Sequence, residues 1–97
     1  MHKQAQWTER RRAVRRPIDR DARIRLEGGV FLACRVRDIS AMGAGLELIY
    51  EAFVPLQFRL QIPDDLFEAD CALRNRRGTA IGVEFLSARA EAMSRYG

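Results

Sequence analysis

From Ala22 onward, apolar residues fall at every second position in one short segment after another. Ala22, Ile24 and Leu26 alternate with Arg23, Arg25 and Glu27; Leu32, Cys34 and Val36 alternate with Ala33, Arg35 and Arg37. Leu46 and Leu48 flank Glu47, and Phe58, Leu60 and Ile62 alternate with Gln57, Arg59 and Gln61. Phe67, Ala69, Cys71 and Leu73 alternate with Glu68, Asp70, Ala72 and Arg74, and Ile81, Val83 and Phe85 close the series around Gly82 and Glu84. Side chains on a strand alternate between faces, so each segment predicts a strand with one apolar face. Turn chemistry separates them: Gly28-Gly29, Gly43 to Gly45, Pro55, Pro63-Asp64-Asp65 and Arg77-Gly78.

Six one-sided strands in so short a chain are best satisfied by an all-β fold. The expected form is a small six-stranded antiparallel barrel, closed or nearly so, which removes exposed edges. Its interior is predicted to hold Leu32, Cys34, Val36, Leu46, Phe58, Leu60, Ile62, Leu73, Val83 and Phe85. The domain reading is a basic arm over residues 1–16, a barrel over 17–86, and a short helix or tail over 87–97. Pro17 marks the first boundary because it restricts Arg16 to extended backbone. The arm has too few apolar side chains to hold a fixed place, so it is expected to be mobile until a ligand orders it. Ala88, Ala90, Ala92 and Met93 favour a helix lying on the barrel or fraying from it.

Composition sharpens this picture at a few points. At 97 residues the chain has room for one domain. No apolar run reaches the ~18–20 residues that span a bilayer, and the first residues lack a secretion signal, so a cytoplasmic protein is expected. The formal charge of +4 is uneven. Residues 1–25 carry nine basic and three acidic side chains, whereas residues 26–97 carry eight and ten. Sixteen of the seventeen basic residues are arginine, whose planar fork suits phosphate and stacks on bases as lysine does not. Cys34 and Cys71 occupy alternating apolar positions and read as buried reduced thiols. His2 is the one histidine, so neither a nucleophile–base pair nor a zinc set is available, and no enzyme, metal or cofactor is expected.

Two motifs remain. Arg11 and Arg15, with Arg10 beside them, are four apart and share a side on either a strand or a helix. Taken alone, such an arm also reads as a solvated tail or a nonspecific polyanion binder. Asp38-Ile39-Ser40-Ala41-Met42-Gly43 places a carboxylate and a hydroxyl two apart, on one side of the chain, ahead of a glycine turn. Gly43 and Gly45 permit a kink where a ring can approach the backbone. The plainer reading is a turn capped by Asp and Ser. Guanidiniums suit phosphate oxygens and the acceptor edge of guanine, and a carboxylate suits its donor edge. The pair therefore points to an anionic guanine nucleotide.

Together these motifs resemble the PilZ domain family, the bacterial cyclic di-GMP receptor modules. The resemblance rests on Arg11…Arg15, on Asp38 to Gly43, on Ala44-Gly45-Leu46 and on Ile81-Gly82-Val83-Glu84-Phe85, and spans about residues 9–86. It implies that Arg11 and Arg15 clamp phosphates and the acceptor edge of guanine. It also implies that Arg10 accompanies binding of a stacked ligand dimer, and that Asp38, Ser40 and Gly43 contact the other guanine from the barrel surface. Relatives often carry a tryptophan near the end of the penultimate strand, where this chain has Asn75. The function implied is a cyclic di-GMP receptor or adaptor that orders its arginine arm and signals to a protein partner. The alternatives are a ligand-blind interaction module of the same fold and a nonspecific RNA- or DNA-binding barrel. The strands show no stripe of exposed aromatics for base stacking, which makes nucleic acid the weaker of these. A single copy of the chain is expected.

Overall fold

In the computed structural model, which describes residues 14–97, the alternating segments form six strands. They are β1 (Arg16–Arg25), β2 (Phe31–Ile39), β3 (Gly43–Leu48), β4 (Gln57–Ile62), β5 (Phe67–Arg77) and β6 (Ala80–Phe85), followed by a helix, α1 (Arg89–Tyr96). Every pairing is antiparallel, and the order β1-β2-β3-β6-β5-β4 closes on itself through β1 and β4. The expected barrel is thus fully closed. Of the arm expected over residues 1–16 to be mobile, residues 1–13 lie outside the described residues, while Arg16 already belongs to β1.

Successive strands sit side by side except at one step. β3 and β4 lie on opposite sides of the ring, so residues 49–56 must cross the barrel end between them. Val54 from this crossing is buried at 4% exposure and plugs that end, which we call the lower end. The β1–β2 turn lies at the same end, where Gly28 and Gly29 both take φ near +80°, a conformation that favours glycine. The opposite, upper end is closed by α1, whose Ala92 and Tyr96 are buried against the core.

The inward face is largely the one the alternation predicts. Ile24, Val36, Leu60, Ile62 and Phe85 have almost no exposure, and Leu32, Cys34, Leu46, Phe58 and Val83 are buried with them. Leu73 is the exception among the predicted interior residues: it is only half-buried against the core. Leu73 pairs with buried Val83 and faces inward with it, but it is the last residue of the regular ladder: β5 bulges at Arg74, because Asn75 pairs with Gly82. The first strand also differs from its pattern. It ends at Arg25, leaving Leu26 half-buried outside it, and begins at Arg16 within a polar stretch. A register shift between Pro17 and Arg20 breaks the alternation there, which hides the strand from a period-two reading.

Phe67 joins the helix to the barrel. Its ring stands 5.5 Å from Phe85 and 5.4 Å, edge to face, from Tyr96. The Tyr96 hydroxyl donates to Asp65 Oδ2 at 2.6 Å, and Arg20 Nε donates to Oδ1 at 3.1 Å. Burial works to raise the Asp65 pKa, but these two donors outweigh it and hold the carboxyl below the ordinary aspartate range. Tyr96 moves the other way, raised by burial and by its bond to Asp65. Both cysteines are free and buried, and burial pushes each thiol up to about 12, so they stay protonated at neutral pH.

Two stability predictions follow from this packing. Phe67→Ala should cost about 3–5 kcal/mol in urea unfolding, because it removes a buried ring shared by two aromatic neighbours. The Asp65 latch should fail in acid. Its folded pKa lies below the unfolded value near ~3.9, so its stabilisation is complete above that value and fades as pH falls through the folded one. Melting curves from neutral pH to about pH 2 should therefore fall less steeply at the acid end for Asp65→Asn than for wild type.

Candidate functional site

The upper half of β2 ends in a carboxylate that the next strand is shaped to receive. Asp38 pairs with Gly45 of β3, and the Asp38 side chain lies over that glycine. A Cβ at position 45 would stand 2.8 Å from Oδ2 and 3.0 Å from Oδ1, closer than such atoms approach. Gly45 is thus what allows the carboxylate to rest across the sheet, where the Gly45 backbone N–H donates to Oδ1 at 3.1 Å. Arg15, just ahead of β1, donates from a terminal guanidinium nitrogen to the same oxygen at 2.7 Å. Both side chains remain partly open to solvent, at 49% and 36% exposure. Asp38 Oδ2 accepts no hydrogen bond among the described residues.

The same row continues across the barrel. Gly45 pairs with Gly82 of β6, and Gly82 pairs with Asn75 of β5. A Cβ on Gly82 would stand 2.7 Å from Asn75 Oδ1 and 2.8 Å from Nδ2. One line across four strands therefore reads Asp38, Gly45, Gly82, Asn75. The two polar side chains are laid over two glycines, from opposite ends of the line. Gly82 was not among the expected site residues, yet a signal for it existed: both glycines stand at outward positions between inward-facing apolar residues, Ala44 and Leu46, and Ile81 and Val83.

Ser40 and Gly43 play a different part from Asp38. The chain leaves the ladder after Ile39, so Ser40 does not share the outward face of Asp38 and is only 3% exposed. Its hydroxyl accepts from the Met42 N–H at 3.1 Å, and its own N–H donates to Gly43 O at 2.9 Å. Gly43 pairs with Glu84, and a Cβ there would press into the Val83 backbone carbonyl. These two residues build the β2–β3 turn that aims Asp38, and the side chain of Ser40 is turned inward. Arg10 and Arg11 lie outside the described residues. Among the expected site residues, then, the structure brings Arg15 and Asp38 into contact and sets Ser40 and Gly43 beneath them.

Beside this site, a pocket of about 390 Å³ opens between the start of β1 and α1. Arg16, Arg20 and Arg95 line it together with Ile39 and Tyr96. Arg16 also donates to Gly97 O at 3.3 Å, linking the residue after Arg15 to the end of the helix. Elsewhere on the barrel, most arginines face carboxylates. Arg35 pairs with Asp19 and Asp21, Arg59 with Glu68 and Asp70, and Arg74 and Arg89 with Glu84. A paired arginine offers little attraction to a polyanion.

The two glycines of the motif should respond differently to a methyl group. At Gly45 the obstruction is the tip of a flexible side chain, so Gly45→Ala should keep the fold but turn Asp38 away from Arg15. At Gly43 the obstruction is backbone, so Gly43→Ala should force β3 from β6 and destabilise the barrel by about 1–3 kcal/mol, the usual cost of overpacking. Chemical denaturation of the two variants side by side checks the contrast.

A family model described as PilZ domain matches residues 9–96 of the chain. A search of curated proteins gives no match.

Proposed function

Since the chain belongs to the PilZ domain family, a family of receptor modules rather than enzymes, we propose that it binds cyclic di-GMP at the Arg15–Asp38 site and passes the signal to a protein partner. The observation that carries the reading is the 2.7 Å pairing of a guanidinium with a half-open carboxylate whose other oxygen has no donor among the described residues. Guanine offers a donor edge, its ring and exocyclic N–H groups, and an acceptor edge at O6 and N7. The free oxygen of Asp38 accepts from the first, and an arginine fork donates to the second or to phosphate. Adenine lacks that donor arrangement, which gives the site its choice of base.

In this reading the ligand replaces a contact that already exists. Arg15 leaves Asp38 for the ligand, and Arg10 and Arg11 join it, as the match over residues 9–96 includes them. Arg10 would accompany a stacked ligand dimer. Asn75 sits where an aromatic would stack, so its amide contributes a hydrogen bond in place of a stacking contact. The bond from Arg16 to Gly97 supplies a route by which a shift near Arg15 reaches α1. No helix among the described residues is long and apolar enough to cross a membrane. A nonspecific nucleic-acid role is the weaker reading, because eight of the thirteen described arginines lie within ion-pair distance of a carboxylate.

Calorimetric titration tests the proposal. Cyclic di-GMP should bind, and GMP, cyclic di-AMP and a short RNA should bind far more weakly. Arg11→Ala, Arg15→Ala and Asp38→Ala should each weaken binding by about 2–5 kcal/mol, since each leaves a charged or polar ligand group unpaired. Arg89→Ala, remote from the Asp38–Asn75 row, should bind as wild type. Wild-type affinity in all three site variants would place the ligand elsewhere.

A further inference from the structure

The lower end of the barrel carries an apolar surface that no role at the Asp38 site uses. Val30 at the end of the β1–β2 connection and Phe31 at the start of β2 are 54% and 43% exposed, and Ile49, Tyr50, Phe53 and Leu56 in the crossing segment are 58%, 60%, 81% and 75% exposed. Leu26 and Glu27 of the first connection and Phe53 and Pro55 of the second line one depression, and the Ile49 N–H ties the start of the crossing to Ala33 O of β2. This open depression of about 730 Å³ is also lined by Phe58. Val54 and the half-buried Ala52 close this end, so the outward-turned Ile49, Tyr50, Phe53 and Leu56 of the crossing are not needed for the fold. Small monomeric proteins seldom leave so many large apolar side chains together in water.

Two charges at the rim indicate what covers this surface. Arg25 and Glu27 both line the depression, and neither makes an ion pair among the described residues. Arg25 is moreover opposite Arg59 in the β1–β4 ladder, a like-charged pair that costs stability. Arg59 is neutralised by Glu68 and Asp70, whereas Arg25 has no such partner among the described residues. An unpaired cation and an unpaired anion two residues apart suit a surface that meets itself about a two-fold axis, where each residue faces its opposite in the other copy. A strongly acidic or strongly basic partner would leave one of the two charges repelled.

We propose that the lower end of the barrel is the interface of a homodimer, in place of the single copy expected from the sequence. Phe53 and Leu56 supply the apolar centre, and Arg25 of each copy meets Glu27 of the other. The area is adequate. At roughly 150–250 Å² for a whole aromatic side chain, the exposed fractions of Phe31, Tyr50 and Phe53 amount to roughly 300–450 Å² per copy. Leu56, Ile49 and Val30 bring this toward the ~800 Å² per partner of a standard interface. β1 runs from Arg16 near the ligand site to Arg25 at the interface, a rise of about 30 Å. Both ligand sites therefore stay open in the dimer.

Sedimentation equilibrium of the full chain, from a few micromolar to several hundred micromolar, tests this directly. Wild type should show a monomer–dimer equilibrium. Phe53→Ser and Leu56→Ser, both at exposed positions, should raise the dissociation constant at least tenfold while the circular dichroism spectrum is unchanged. Arg25→Glu and Glu27→Arg should each weaken the dimer, and the two together should restore it. Asp38→Ala should dimerise as wild type, so loss of ligand binding does not bear on the result. A wild type that stays monomeric throughout overturns the proposal and leaves the surface to a different protein. So does a dimer indifferent to Phe53, or a double charge reversal no stronger than the single ones.

Discussion

A carboxylate can lie flat across a neighbouring strand only where that strand has no Cβ. Gly45 meets this condition for Asp38, and the rest of the site depends on it. With the carboxylate held over β3 by the Gly45 N–H, its Oδ1 is fixed within 2.7 Å of the Arg15 guanidinium. That contact brings Arg15, just ahead of β1, against the barrel wall. Gly82 repeats the device for Asn75 from the other side. Each glycine weakens its strand locally, since glycine loses much chain entropy and packs nothing. The closed ring of ladders tolerates this because both glycines sit mid-strand with partners on either side.

Closing the barrel also decides where interactions can occur. Without a free edge, no partner can add a strand, so recognition must use side chains on the wall or at the ends. The two ends are closed by different means. At the upper end α1 is held by Phe67, Tyr96 and Asp65, close to the Arg15–Asp38 pair. At the lower end the crossing from β3 to β4 does the work with Val54 and the half-buried Ala52, while Ile49, Tyr50, Phe53 and Leu56 face outward. A ligand response and an association surface can therefore coexist in a chain of this size without competing for the same residues.

Much of this was legible in the sequence, for an identifiable reason. A strand buried on one face must alternate, and nine of the ten predicted interior positions are buried, from Leu32 to Phe85. Leu73 faces inward as the alternation predicts, but it is only half-buried, at the point where the bulge before Asn75 ends the regular ladder. The start of β1 was missed because the register slips after Pro17. At the site, Asp38 and its glycine turn were visible as a motif. Ser40 would share the outward face of Asp38 only if β2 ran on past Ile39; the chain instead turns there, and the Ser40 hydroxyl accepts from the Met42 N–H. Gly82 escaped notice because its meaning lies in a cross-strand neighbour, Asn75, and pairing partners cannot be read from spacing along one strand. Arg10 and Arg11 lie outside the described residues, so their part rests on the family match.

Under the proposed function, cyclic di-GMP displaces a contact already made at Asp38. The backbone amide of Gly45 reports on that event, because it donates to the same Asp38 oxygen that Arg15 holds. Amide resonances should be followed while cyclic di-GMP is titrated into the protein. The account predicts a large saturable shift at Gly45, a parallel one at Gly82, and little change at Val30, Phe53 or Leu56 at low protein concentration. Binding that leaves the Gly45 amide unmoved would contradict it.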